Sequence, residues 1–262
     1  VNLPFFTKPA SRFGEAVVLR TEQISKNMRR ITFQSTYASQ FDEHCAGGHI
    51  KLIVPRVDEK KPPHFESSDA RSRMRTYTIR AVRPSAKEFD VDFVMHGDHG
   101  VTGPWAAGAR LGDCVAVSRP GSPKLITEQA DWFLVVADMA AIPAAAAGLE
   151  TLGNSALGDV YVEILIGYDR QEISVPPGVK LHWIIKSEPQ LRSDELIERV
   201  RGTHWYDGNP SVFVAGEFST VAALRPYFRD ERKTSKEFTY ISSYWKVGLI
   251  EPEHNTNKAQ AR

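Results

Sequence analysis

Short runs of β-branched and aromatic residues at period two fill the first half of the chain. In Phe89-Asp90-Val91-Asp92-Phe93-Val94 apolar and acidic residues alternate, which places them on opposite faces of a half-buried strand. Runs at Glu15–Arg20, Met28–Phe33, His49–Val54, Thr76–Val82, Phe89–His96 and Asp113–Ser118 predict six strands. Turn signals separate them at Gly47-Gly48, Asp58–Pro63 and Arg83-Pro84-Ser85. Short strands at this spacing, with few helical stretches, predict a small antiparallel β-barrel.

The pattern changes near Pro120–Asp131. Trp132–Ala137 is continuously apolar, as a strand covered on both faces requires. A helix over Ala140–Leu152, strands at Val160–Gly167 and Leu181–Lys186, a helix at Ser193–Val200, a strand at Ser211–Ala215, a helix at Thr220–Glu231 and a strand at Phe238–Ser242 follow. Strand and helix alternate, which predicts a Rossmann-like α/β domain with a parallel sheet. Ser193 is placed to cap its helix, and Asp194 and Glu195 sit near the positive end of its dipole. The expected architecture is two-domain β + α/β, with residues 1–125 and 126–262 as the two units. The polar tail Glu251–Arg262 is expected to fray.

Composition narrows the partners. The chain of 262 residues has 42% hydrophobic and 25% charged residues and a net charge of +1, so no nucleic-acid or membrane-surface partner is expected. The cysteines, Cys45 and Cys114, have no spacing suited to zinc or an iron–sulfur cluster, and two buried thiols are expected rather than a disulfide. No run of about eighteen apolar residues predicts a membrane span. Val1–Arg12 does not resemble a signal peptide, so a cytoplasmic protein is expected; separately, a monomer is expected. The cluster Arg71, Arg73, Arg75, Arg80 and Arg83 reads either as a solvated strand edge or as an anion site.

Two segments carry candidate chemistry. On a strand Arg75, Tyr77 and Ile79 share one face, and Thr76, Thr78 and Arg80 the other. An arginine fork matches phosphate oxygens, a tyrosine stacks on a flat ring, and a threonine reaches a ring nitrogen, which is what a flavin dinucleotide needs. The second segment, His96-Gly97-Asp98-His99-Gly100-Val101-Thr102-Gly103-Pro104-Trp105-Ala106, follows a strand and opens a short helix. Glycines admit a ligand close to the backbone and amides at a helix start bind phosphate. Each segment alone also reads as ordinary structure: a half-buried strand aromatic, and a strand–turn–helix link.

With His49-Ile50-Lys51-Leu52, Arg75–Arg80, Asp92–Gly97, Gly103-Pro104-Trp105-Ala106, Arg119-Pro120-Gly121-Ser122, Val214-Ala215-Gly216-Glu217 and Tyr244-Trp245-Lys246-Val247-Gly248 in this order, the chain resembles the siderophore-interacting proteins. These are FAD-binding ferric-siderophore reductases of the ferredoxin-reductase-like superfamily. The resemblance implies that the barrel binds FAD. It gives Arg75, Tyr77 and Thr78 the flavin, Phe93, Val94, Met95 and His96 the ribityl chain or ring edge, Thr102, Trp105 and Ala106 the pyrophosphate, and Asp138 the adenosine end. His96 reads equally as a neutral histidine closing a strand.

The superfamily usually docks a nicotinamide nucleotide on Gly-Thr-Gly-x-Thr-Pro, where this chain has Asp138-Met139-Ala140-Ala141-Ile142-Pro143. NAD(P)H and a reduced ferredoxin therefore both stand as electron donors. Gly216-Glu217 is either a nucleotide contact or a turn, and Arg170 faces either a 2′-phosphate or solvent. The implied substrate is a ferric siderophore, often a bulky anion, with Lys51, Arg119, Lys124, Trp245 and Lys246 as candidate contacts. The implied reaction converts chelated Fe(III) to Fe(II), with no protein acid or base required. A general flavin reductase and a non-enzymatic siderophore-binding protein are the alternatives.

Overall fold

A computed structural model describes residues 12–35, 41–95, 100–123, 126, 129–186, 188 and 191–249. The first half is an antiparallel sheet of β1 (Phe13–Ser25), β2 (Met28–Gln34), β3 (His49–Ile53), β4 (Met74–Thr78), β5 (Ala81–Arg83), β6 (Glu88–Val94) and β7 (Cys114–Ser118). Its strand order is β4-β3-β7-β1-β2-β6-β5, so the two edges are consecutive in the chain. Ile79 donates to the Gly48 carbonyl and accepts from the Gly47 amide, each at 2.8 Å; the next amide, Arg80, donates to Asp90 O at 2.8 Å. That single step carries the chain from one edge to the other and closes the barrel. The strand expected over Thr76–Val82 is therefore two strands, because one residue pair must turn the corner.

The period-two pattern of β6 is realised. Phe89, Val91 and Phe93 enter the barrel core with Phe33, Ile50 and Leu52. Asp90 and Asp92 face the other way under a cover of arginines. Arg30 holds Asp92 at 2.7 and 2.8 Å, and Arg83 holds Asp90 at 2.8 and 2.6 Å. Charges this buried persist because each is paired bidentately. Two short helices complete the barrel. α1 (Ser68–Arg73), which periodicity did not reveal, is capped by Ser67, and α2 (Thr102–Gly108) follows β6.

The second half is a parallel sheet in the order β10-β9-β8-β11-β12. Its strands are β8 (Trp132–Ala137), β9 (Leu157–Ile164), β10 (Gly178–Ile185), β11 (Pro210–Glu217) and β12 (Thr239–Trp245). Its helices are α3 (Ile142–Leu149), α4 (Asp194–Arg201) and α5 (Phe218–Pro226). Two hydrophobic clusters cover the two faces, as the continuous apolar strands require. The helix expected to reach Glu231 ends regularly at Pro226 and continues as a wider turn over Tyr227–Glu231. Ser193 stands at the start of α4 without capping it by its side chain; its own amide donates to Thr220 Oγ1 at 3.2 Å instead. Cys45 and Cys114 are free, but half-buried rather than buried, because they lie in a short turn and at a strand start.

The two halves are joined by the tip of the β1–β2 hairpin. Asp169, fully buried, accepts from the Asn27 amide at 2.7 Å and its Nδ2 at 2.9 Å. Met28 belongs to the core of the parallel-sheet half although its strand is in the barrel, and Ile24 and Val94 pack beside it. Arg80 adds a bidentate pair with Glu150, past the end of α3, at 2.9 and 2.5 Å. No helix among the described residues is long and apolar enough to cross a membrane.

Candidate functional site

The arginine cluster resolves by partner. Arg73 is buried between Glu59 and Asp69, Arg80 is held by Glu150, and Arg83 by Glu88 and Asp90. Arg71 and Arg75 bond only to carbonyls, Arg75 to those of Ser72 at 2.7 Å and Met74 at 2.9 Å. Arg75 thus keeps a guanidinium that no carboxylate among the described residues neutralises. It stands on the same face of β4 as Tyr77, opposite Leu52 and Ile50 of β3. The Tyr77 ring is half-buried and tilted against Phe93, with centroids 4.6 Å apart.

α2 starts beside this surface. Thr102 is buried, and its Oγ1 has no hydrogen-bond partner among the described residues. A buried hydroxyl left in this state costs stability unless a ligand completes it. Trp105 and Ala106 are core residues, with Trp105 packed on Phe33 and Phe93, so only their backbone faces outward chemistry. Phe93 is also a core ring, Val94 meets the parallel-sheet half, and Met95 donates its amide to Asn27 O at 2.8 Å. His96 and Lys124 lie outside the described residues.

Two of the sequence motifs meet at the start of β3. The Gly121 amide donates to His49 O at 2.8 Å, and a Cβ on Gly121 would stand 2.0 Å from the His49 ring. Only glycine fits there without displacing the ring. Lys51 donates its amide to Ser118 Oγ at 2.9 Å and its side chain reaches the Thr76 hydroxyl, which places it beside the exposed Arg119 segment.

The C-terminal edge of the parallel sheet forms the other part of the site. Asp138 follows β8, Gly216-Glu217 end β11 and Trp245 ends β12. Trp245 Nε1 donates to Asp138 Oδ2 at 2.7 Å, while Ala140 and Ala141 amides donate to Oδ1 at 2.9 and 3.2 Å. Both carboxylate oxygens therefore have donors. Burial pushes this carboxyl up to about 6 against the pull of those hydrogen bonds, and the charge of Glu163 adds to the rise. Lys246 is apart from Lys51: its Nζ lies over the Phe218 ring, 4.5 Å from the centroid. Sequence reasoning missed Glu163, although a carboxylate inside the apolar run Val160-Tyr161-Val162-Glu163-Ile164 was a usable signal.

Residues 17–124 match the family profile described as siderophore-interacting FAD-binding domain, and residues 130–248 match the one described as siderophore-interacting protein. The chain belongs to the siderophore-interacting protein family. An uncharacterized protein of Mycobacterium tuberculosis is 39% identical over 89% of this chain and 90% of its own length. Ferric vibriobactin reductase ViuB of Vibrio cholerae is 29% identical, over 92% of each chain. The crystal structure of the siderophore-interacting protein SipS from Aeromonas hydrophila superposes with a TM-score of 0.84 at 28% identity, covering 96% of this chain and 98% of that one.

A siderophore-interacting protein with this barrel carries FAD, and the residues present fit it. An uncommitted guanidinium, a half-buried aromatic face and a buried hydroxyl without a partner lie along one strand and the helix that follows the neighbouring barrel segment. With FAD bound they would supply an anion partner, a ring surface and a phosphate donor.

Proposed function

We propose that this chain is an FAD-dependent reductase that converts siderophore-bound Fe(III) to Fe(II) and so releases iron in the cytoplasm. The observation that carries the reading is the pairing of Arg75 and Tyr77 on β4 with the open Thr102 hydroxyl on α2, inside a barrel of the FAD-binding family. The names of ViuB and of a ferric acinetobactin reductase of Acinetobacter baumannii support the substrate class.

FAD, when bound, would supply the redox chemistry, coupling a two-electron donor such as NAD(P)H, or two reduced ferredoxins giving one electron each, to the one-electron reduction of ferric chelates. The chain holds and orients. Arg75 would pair with the pyrophosphate, Tyr77 would lie against the flavin, and Thr78, Phe93, Val94, Met95 and His96 would serve the ring and ribityl chain. Thr102 and the backbone at Trp105-Ala106 would hold the phosphates. Lys51, Arg119, Lys124, Trp245 and Lys246 are the proposed contacts of an anionic chelate, with Lys51 and Arg119 on the barrel side and Trp245 and Lys246 at the end of β12. Fe(II) is held less tightly than Fe(III) by hard oxygen donors, so reduction loosens the complex without a protein acid. Residues 1–125 form the flavin-holding unit and 126–262 the donor and substrate side.

The test is direct. The purified chain is loaded with FAD, reduced chemically under anaerobic conditions and mixed with ferric siderophores in the presence of a ferrous trap. Trapped Fe(II) at two equivalents per FAD is the expected result. Reduced flavin that persists beside every ferric siderophore tried, catecholate and hydroxamate, would overturn the reading.

A further inference from the structure

We propose that Asp138 and Glu217 determine electron-donor specificity by occupying, with the chain's own carboxylates, the amides to which a dinucleotide diphosphate would bind. This rests on the flavin-reductase reading above. In open α/β sheets ligands lie beyond the carboxyl ends of the strands, and their phosphates are held by free amides at helix starts.

Here those amides are taken. Asp138 Oδ1 accepts from Ala140 N at 2.9 Å and Ala141 N at 3.2 Å. The Ile142 amide donates to Asp138 O at 3.0 Å, and Ala144 N to Ala141 O at 3.1 Å. Pro143 has no amide hydrogen. The turn that opens α3 therefore presents no free donor from Ala140 to Ala144.

The second helix on this edge is closed in the same way. Glu217 Oε2 accepts from Ser219 N at 2.5 Å and Thr220 N at 3.3 Å, and also from the Ser219 hydroxyl. Its Oε1 accepts from Val247 N at 3.5 Å, which ties the end of β12 to the cap. Gly216 shows that the arrangement is built in. Its φ is +151°, and a Cβ there would lie 2.7 Å from the Asp138 carboxyl carbon. The narrow cavity between the two helix starts is lined by Asp138, Glu163, Gly216, Glu217, Thr220 and Val221. Glu163 is 8% exposed; Lys186 approaches one of its oxygens at 3.4 Å, and the other is buried with no hydrogen-bond partner among the described residues. A phosphate entering here would displace two internal carboxylates and face a third.

The experiment compares NADPH, NADH and reduced nicotinamide mononucleotide, which lacks the adenylate half, as reductants of the FAD-loaded full chain. The readout is the reductant concentration that half-saturates the rate of flavin bleaching in anaerobic stopped flow. The three values are expected to agree within about threefold, since the adenylate half finds no site. Dinucleotides that half-saturate about tenfold or more below the mononucleotide would overturn the proposal.

Two variants test the residues. Glu217→Ala frees the Ser219 and Thr220 amides, and Asp138→Gly frees the Ala140 and Ala141 amides. A preference of about tenfold for NADPH over the mononucleotide is expected to appear in at least one folded variant. An unchanged ratio in Glu217→Ala, with Asp138→Gly unchanged or unfolded, would also overturn it. Ferric-chelate reduction by chemically reduced protein is scored separately, so loss of the reductase reading shows as failure there and not as a change in these ratios.

Discussion

Arg75 and Asp138 show how far a single residue type can be read without its surroundings. Five arginines in thirteen residues suggested an anion site, yet partners decide which one serves. Three are neutralised by carboxylates, from Asp69 four residues before Arg73 to Glu150 seventy residues after Arg80, and among the described residues Arg75 is left with carbonyls alone. Arg75→Ala is expected to weaken FAD binding by at least about tenfold, the loss of one charge-assisted contact, as read by equilibrium flavin titration. The same substitution at Arg71, which lies outside the proposed site, is expected to change it little.

Asp138 carries the pH dependence. Its folded value near 6 stands above the ordinary carboxylate range, chiefly because of burial. The native state therefore holds a proton that the unfolded chain has lost, over the window between about pH 4 and 6. Its contribution favours folding below that window and is lost as pH rises through 6, by about 3 kcal/mol in total. Urea unfolding of the wild type and Asp138→Asn across this range checks the sign: the stability difference between them should change through the window. Trp245 reports the same event, because its indole donates to the titrating group. The emission difference between wild type and Trp245→Phe should shift with a midpoint near 6. The Asp138 position was legible from the sequence, whereas its link to a tryptophan 107 residues away was not, since no spacing rule joins them.

At the scale of elements, periodicity reads well where burial is one-sided or complete. β6 alternates because one face is core and the other a ladder of arginine-paired aspartates, and β8 is apolar throughout because helices cover both faces. It fails where an element's limits are set by something remote. β1 runs on to Ser25, well past the apolar stretch that signals it, because its polar tail pairs with β2 and carries the hairpin tip to the other half. That tip is fixed by Asp169, which accepts from the Asn27 amide and side chain, from Ile166 N at 3.2 Å and from Ser25 Oγ at 3.3 Å. Asp169→Ala would leave several partly buried donors unanswered and is expected to cost about 2–4 kcal/mol in chemical denaturation. Asp169→Asn, which keeps one acceptor, should recover part of that loss.

For the whole molecule, the question is whether barrel and parallel sheet unfold together. Surface contact alone would leave them free to melt separately, as domains with small polar interfaces do. Here Met28 is fully buried in the core of the other half, with Ile24 and Val94 packed beside it. Asp169 and the Arg80–Glu150 pair pin two separated points around that contact. The pair itself is worth little, since Glu150 is 39% exposed and screened. The hydrophobic insertion and the buried carboxylate carry the coupling. Calorimetry of the intact chain should therefore show one transition, with calorimetric and van't Hoff enthalpies in agreement. Met28→Ala combined with Asp169→Ala removes the apolar anchor and the polar one together, and should split the trace in two. Added FAD then provides the decisive contrast. In the wild type it should raise the single melting temperature, because ligand bound to the barrel stabilises everything that unfolds with it. In the double variant it should move only the barrel's transition. A double variant that still melts in one step, with FAD shifting all of it, would place the coupling elsewhere in the interface.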